Sequence, residues 1–202
     1  MNIGLIYDSQ RKYAEAISWH ERALKIKEQE FGVDHINSAN TINNIAIVYK
    51  NQGKYAEAIS WYERALKIRE REFGVDHINS ASTINNIGIV YKNQGKYAEA
   101  ISWYERALKI KEREFGVDHI NSANTIMNIG LVYYQRALKI SEQEFGMDHI
   151  DSAYTIRNIG IVYRKQGKYA EAMSWNERAL KIFEREFGVD HINPANTIMS
   201  AD

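Results

Sequence analysis

Asn79 to Phe115 reads NSASTINNIGIVYKNQGKYAEAISWYERALKIKEREF, and the fold is decided in this stretch. Ile84, Ile87, Gly88 and Tyr91 recur at helical spacing along one face of its first half. Tyr97, Ala100, Ile101, Tyr104, Ala107 and Leu108 do the same in the second half. Between them stands Gln94-Gly95-Lys96, where glycine supplies a turn. The stretch predicts two antiparallel helices joined as a hairpin.

The hairpin is one copy of a repeat. Asp-His-Ile begins at Asp34, Asp76, Asp118, Asp148 and Asp190, so the spacings are 42, 42, 30 and 42 residues. The units run approximately over 1–32, 35–74, 77–116, 119–146, 149–188 and 191–202, the first cut at its N-terminal side and the last a half repeat. Asn37, Asn79, Asn121, Asp151 and Asn193 stand where an N-cap is expected, with Pro194 in the following position. Gly32, Gly74, Gly116, Gly146 and Gly188 follow each second helix, where a left-handed residue would satisfy the last carbonyls. Gly4, Gly88, Gly130 and Gly160 fall inside the first helices, replaced once by Ala46, which points to close helix approach. A lone hairpin buries too little apolar surface to offset its ordering entropy, so neighbours must share faces. The expected architecture is an all-α, right-handed α-solenoid of stacked antiparallel hairpins over 1–202, with the first helices lining its concave side.

Composition narrows the function. The chain has 202 residues, 45% of them hydrophobic, with 26 Lys+Arg against 26 Asp+Glu. That apolar share supports a packed core, while the zero formal charge argues against a nucleic-acid or membrane-surface binder. The lack of cysteine excludes disulfides, thiolate zinc sites and thiol nucleophiles. No apolar run is long enough to span a bilayer and no secretory pattern opens the chain, so a cytoplasmic location is expected.

The short spacing has its own consequence. A segment equivalent to Lys92–Trp103 is missing between Tyr133 and Tyr134, yet Ile126, Gly130, Tyr133, Ala137 and Ile140 continue in steps of four and three. A continuous helix of about 25 residues, roughly 37 Å long, is expected over Asn121–Phe145. Its apolar stripe offers a route to a homodimer, as do the ends of the array, where Met1-Asn2-Ile3-Gly4 enters at mid-helix and Thr197-Ile198-Met199 stops at the same phase.

The spacing Ile84-x-x-Ile87-Gly88-x-x-Tyr91 followed by Ala100-x-x-x-Tyr104-x-x-Ala107 resembles the tetratricopeptide repeat. The 42-residue unit, with Asn85-Asn86-Ile87-Gly88, Gln94-Gly95-Lys96-Tyr97-Ala98-Glu99-Ala100, Arg106-Ala107-Leu108-Lys109-Ile110 and Phe115-Gly116-Val117-Asp118-His119, is similar to the kinesin-light-chain type. The resemblance covers essentially the whole chain and implies a cargo or adaptor scaffold with a protein or peptide partner. The heptad segment by which kinesin light chains hold the motor heavy chain has no counterpart here.

Candidate site residues follow from the same alignment of repeats. Asn2, Asn44, Asn86, Asn128 and Asn158 share one slot of the first helix, where an amide can both donate to and accept from an extended backbone. In tetratricopeptide proteins that slot resembles a ligand clamp; an inter-helix structural bond is the alternative. Asn43 and Asn85 stand beside it and are replaced by Met127 and Arg157. Lys50, Lys92 and Arg164 end the first helices, either as favourable charges at a helix C-terminus or as a basic rim for carboxylates. With Ile47, Ile89, Leu131 and Ile161 as apolar positions, the resemblance implies an extended peptide with an aromatic anchor and acidic flanks. Trp19, Trp61, Trp103 and Trp175 suit packing between neighbouring second helices.

No enzyme, metal or cofactor is expected. Asp34, His35 and Ser38 include triad residue types, but adjacent Asp and His do not orient one another, and five copies argue for a structural corner. No pair of histidines has metal-ligand spacing on a helix, and no phosphate-binding glycine loop is present. The alternative to a peptide-binding scaffold is a self-associating structural repeat; an RNA-binding helical repeat is the third reading, opposed by the neutral charge.

Overall fold

The computed structural model describes residues 3–117 and 119–188. Their regular structure is helical throughout: α1 (Ile3–Ser9), α2 (Tyr13–Phe31), α3 (Ile36–Asn51), α4 (Tyr55–Phe73), α5 (Ile78–Asn93), α6 (Tyr97–Phe115), α7 (Ile120–Phe145), α8 (Ile150–Lys165) and α9 (Tyr169–Phe187). Two compact units, Met1–Thr125 and Ile126–Asp202, divide within α7. In the first, α1 packs on α2, α3 on α4 and α5 on α6, and the hairpins stack through α2 on α3 and α4 on α5; in the second, α8 packs on α9.

Three hairpin turns are closed by a glycine, with φ of +76° at Gly53, +73° at Gly95 and +75° at Gly167. The Lys54 amide donates to the Tyr49 carbonyl at 2.9 Å across that turn, and the Lys54 ammonium lies 5.9 Å from the Tyr49 ring centre. Arg11 occupies the glycine position of the first turn at φ +59°, a conformation that costs an L-residue about 1 kcal/mol or more.

The ends of the second helices depart from the left-handed expectation. Gly74 has φ +90° and ψ 161°, extended on the glycine-only side, while its N–H donates to the Glu70 carbonyl. The left-handed backbone falls two residues later, at Asp34, Asp76 and Asp148, with φ between 58° and 62°.

The N-caps are likewise corrected. His35, His77 and His149, not Asn37, Asn79 and Asp151, cap α3, α5 and α8, each imidazole Nδ1 accepting the N–H two residues on at 3.2–3.3 Å. The expected caps at Asn193 and Pro194 lie outside the described residues. Histidine wins because its ring also stacks on the last aromatic residue of the preceding helix, as in Phe73–His77 with centroids 5.2 Å apart.

The mid-helix glycines admit rings. A Cβ on Gly88 would approach the Tyr104 ring to 2.8 Å, and one on Gly4 would approach His20 to 2.6 Å. Tyr62 and Tyr104 are accordingly fully buried, and a core of the first unit gathers Ala58, Leu66, Ile84, Ile87 and Val90 with Tyr62. Trp61 and Trp103 flank this core, and Trp175 flanks the corresponding one in the second unit.

α7 is the long helix expected, 26 residues without interruption. Leu131 and Leu138 enter the core of the second unit with Ile156, Ile159 and Ile182. The continuing stripe of Ile126, Tyr133, Ala137 and Ile140 remains exposed. Leu131, expected on the apolar binding face, is completely buried, because its turn of α7 packs into that core.

Candidate functional site

The face considered for binding is carried by α3 and α5 in the first unit. Asn40, Asn43, Asn44 and Ile47 project along one side of α3 at helical spacing, as do Ser82, Asn85, Asn86 and Ile89 on α5. Asn44 and Asn86 are half-buried, and among the described residues no side-chain hydrogen bond engages either amide. Ile47 and Ile89, three residues further on, are half-buried as well.

Their neighbours are committed elsewhere. Thr83 on α5 donates through Oγ1 to Asn43 Oδ1 at 3.1 Å, and Thr125 on α7 donates to Asn85 Oδ1 at 3.3 Å. Each threonine also accepts from a cation of the intervening second helix, Arg69 to Thr83 and Lys111 to Thr125, the latter at 2.7 Å. Lys27 repeats the arrangement at Thr41, at 3.0 Å. Asn43 and Asn85 are thus rungs of a partly buried ladder between successive first helices. Burial lowers the Lys111 ammonium pKa, as expected for a cation whose partner is a hydroxyl.

The second unit breaks the ladder. Ser141 stands at the position of Lys27, Arg69 and Lys111 and makes a 2.7 Å hydrogen bond with Ser152 instead. Asn128 Oδ1 accepts from Gln166 Nε2 at 2.8 Å, so this amide makes an inter-helix bond. Asn158 is half-buried on α8 and, like Asn44, has no such partner among the described residues. Arg157, beside it, is half-buried. Asn2 lies outside the described residues.

The basic positions do not form a uniformly exposed rim. Lys92 is only 9% exposed, whereas Lys50 and Arg164 are half-buried, and all three are engaged by interactions within the chain. Arg164 also lines a 260 Å³ cavity with Tyr169, Met173, Asn176 and Leu180.

A second recurrent cation was not anticipated. Arg64 Nε donates to Asp34 at 2.7 Å and its Nη2 to Glu28 at 2.5 Å, binding one hairpin to the one before. Arg106 does the same with Asp76 and Glu70, and Arg178 with Asp148 and Glu142. Burial opposes the charge on each guanidinium, but its two carboxylates outweigh that and raise the pKa. Arg71, Arg113 and Arg185 donate to the carbonyls of Asp34, Asp76 and Asp148. The Asp-His pairs therefore build corners: aspartate receives arginine, and histidine caps a helix. Their recurrence could have revealed this, since Arg64, Arg106 and Arg178 each follow an Asp-His pair by 30 residues. No group of potential metal-ligating side chains occurs among the described residues. No helix among them is long and apolar enough to cross a membrane.

A family model described as "Tetratricopeptide repeat" matches residues 1–71, 38–113, 79–136, 131–185 and 153–198. Among solved structures, the chain is similar to the nearly identical TPR-like repeats of a Podospora anserina putative kinesin light chain, with 15% identity over 92% of this chain and 93% of that one, at a TM-score of 0.59. It is similar to BtubC (BKLC) from P. vanneervenii, with 26% identity over 95% and 80% of the two chains and a TM-score of 0.59. A third similarity is to the Rap conjugation gene regulator of plasmid pLS20 in complex with the Phr* peptide, with 19% identity over 92% and 52% of the chains and a TM-score of 0.59. No relative was found among curated protein sequences.

Proposed function

Because this chain belongs to the tetratricopeptide repeat family, a family of non-catalytic protein-interaction scaffolds, we propose that it is an adaptor holding an extended peptide segment of a partner protein. The observation that carries the reading is the pair of half-buried amides, Asn44 and Asn86, left without internal partners one repeat apart on α3 and α5. A half-buried amide with no internal partner has donor and acceptor capacity to offer, and an extended backbone presents both. Within the second unit Asn158 holds the equivalent helix position, with Arg157 beside it. Ile47 and Ile89 suit an aromatic anchor on the peptide, and the half-buried Lys50 and Arg164, rather than the buried Lys92, favour acidic flanks. The Rap regulator, of the same fold, is a structure with a bound peptide. We place the activity in the cytoplasm, consistent with a cysteine-free chain.

The test is fluorescence-polarisation binding of peptides with one Trp or Tyr between acidic residues. Asn86→Ala is expected to weaken binding by about 0.5–1.5 kcal/mol, roughly two- to tenfold, with unchanged folding. Unchanged affinity would return Asn86 to the scaffold.

Self-association is favoured by a separate observation. Ile126, Tyr133 and Ile140 are 42%, 51% and 58% exposed and spaced by seven residues on α7, with the small Gly130 and Ala137 between them. That heptad stripe suits the same helix of a second copy. A mass that doubles with concentration and reverts in Tyr133→Lys would support it.

A further inference from the structure

A cavity of about 450 Å³ lies beside the binding face, lined by Ile36, Asn40, Arg69, Phe73, Ile78 and Asn79 among others. Arg69 is the charged group in its wall and is only 7% exposed. Its Nη2 donates to Asn40 Oδ1 at 2.8 Å and its Nη1 to Thr83 Oγ1, both neutral acceptors. These use two of five guanidinium donors. No salt bridge among the described residues involves Arg69, in contrast to Arg64, Arg106 and Arg178, each held by two carboxylates.

A guanidinium taken out of water with only neutral partners carries an uncompensated desolvation cost. The lowered Arg69 pKa has burial as its cause, with no carboxylate acting against it. Ile78 and Asn79 of the lining belong to the first turn of α5, where the helix dipole is positive although the Asn79 N–H itself is held by the His77 cap. Phe73, 41% exposed, adds an apolar wall suited to the methylene stem of an acidic side chain. The guanidinium and the adjoining helix end favour an anion in this pocket.

We propose that this cavity is a carboxylate-binding pocket in which Arg69 receives an acidic group through its unused donors, Asn40 and Thr83 holding the guanidinium in place. The site is separate from the amides of Asn44 and Asn86, and its occupant is a glutamate-type carboxylate on a short methylene stem. The equivalent cations, Lys27 and Lys111, are point charges directed at threonine hydroxyls and lack the planar fork. The arginine therefore distinguishes this pocket from its neighbours in the repeat.

The repeat itself supplies the control variant, because lysine stands at the same position in Lys27 and Lys111. The intact chain, labelled with ¹⁵N-arginine, is titrated with glutarate, with N-acetyl-Gly-Gly-Glu-amide, and with N-acetyl-Gly-Gly-Gly carrying a free C-terminal carboxylate. The expected result is a saturable shift of the Arg69 Nε–H resonance, with Arg69→Lys weakening the affinity about tenfold, as measured by calorimetry, and Asn86→Ala leaving it unchanged. Strongest binding by the glutamyl peptide identifies a side-chain carboxylate of a protein as the source; glutarate binding equally well identifies a free small acid, with the pocket confirmed in either case. No shift with any of the three probes, or equal affinity in the folded Arg69→Lys variant, overturns the proposal. Loss of anchored-peptide binding in Asn86→Ala while glutarate still shifts Arg69 separates this pocket from the groove reading, and the opposite pattern leaves the groove and removes the pocket.

Discussion

The hairpin α5–α6 and the helix α7 are made from almost the same residues and have different folds. Asn121–Tyr133 matches Asn79–Tyr91 except at Asn124, Met127 and Leu131, and Tyr134–Phe145 matches Tyr104–Phe115 except at Gln135, Ser141 and Gln143. What α7 lacks is the segment equivalent to Lys92–Trp103, and with it the Gly95 turn at φ +73°. Both flanking pieces have helical propensity, and the junction preserves the apolar spacing, so the chain continues as a helix. The hairpin is thus imposed by the segment that carries the turn, not by the flanking pieces themselves, since Tyr134 stands in α7 at the position of Tyr104. The consequences reach the packing: Gly88 receives the Tyr104 ring, but around Gly130 a Cβ would meet no atom within 4 Å.

The largest expected effect comes from restoring what α7 lost. Inserting Lys92–Trp103 between Tyr133 and Tyr134 should split the 26-residue helix into an antiparallel pair. Spin labels at Asn121 and Phe145, now separated by about 36 Å of helix, should then lie on the order of 10 Å apart. A distance unchanged on insertion would show that the flanking sequence, rather than the turn, dictates the fused helix.

How much of this was legible depended on whether a signal repeats. Five copies of Asp-His-Ile and the glycine at each turn carried the helical hairpins, and the interrupted spacing at Tyr133 carried the long helix. The caps were misread because Asn37 has a capping side chain, whereas the backbone starts its helix one residue earlier, at Ile36, leaving His35 to cap. The end glycines were placed correctly but given the wrong ψ, since helix-end statistics favour the left-handed form and the following Asp already takes it here. At the binding face the sequence offered a column of asparagines and no way to rank them. Asn43 and Asn85 turn out to be bonded by Thr83 and Thr125, while Asn44 and Asn86, one residue on, are not. A rotation of about 100° per residue decides that difference. The Arg69 cavity was invisible because it depends on three helices meeting.

The same glycine slot gives a smaller, pH-dependent test. At Gly4 the incoming ring is His20, 2% exposed, with no hydrogen-bond partner for its Nε2 among the described residues. Burial lowers its pKa from 6.5, and the negative charge of Asp8 only partly opposes the shift. The folded state therefore binds fewer protons than the unfolded one. Its contribution to stability is complete above pH 6.5 and is lost as the pH falls through 6.5 toward the depressed folded value. Amide exchange in α1 and α2 should accelerate between pH 7.5 and 5.5 relative to α5 and α6, where Tyr104 fills the slot. His20→Tyr should abolish the difference; a difference that persists in the variant would place the titrating group elsewhere.

The finest comparison is between two alanine substitutions. Alanine is favoured over glycine inside a helix by about 0.5–1 kcal/mol, so Gly130→Ala, with open space at its Cβ, should raise the unfolding free energy measured in urea by that full amount. Gly88→Ala has the same propensity gain but must displace the Tyr104 ring, which lies 2.8 Å from the Cβ position. Ala46 shows that the slot can accept a methyl group opposite a buried ring, since Ala46 and Tyr62 are both fully buried in one core. The cost is therefore a ring shift of about half an ångström or more rather than a broken hairpin, and Gly88→Ala should fall about 0.5 kcal/mol or more below Gly130→Ala. Equal effects at the two positions would mean that the ring contact restrains nothing, and that the glycine in the hairpin is there for some reason other than Tyr104.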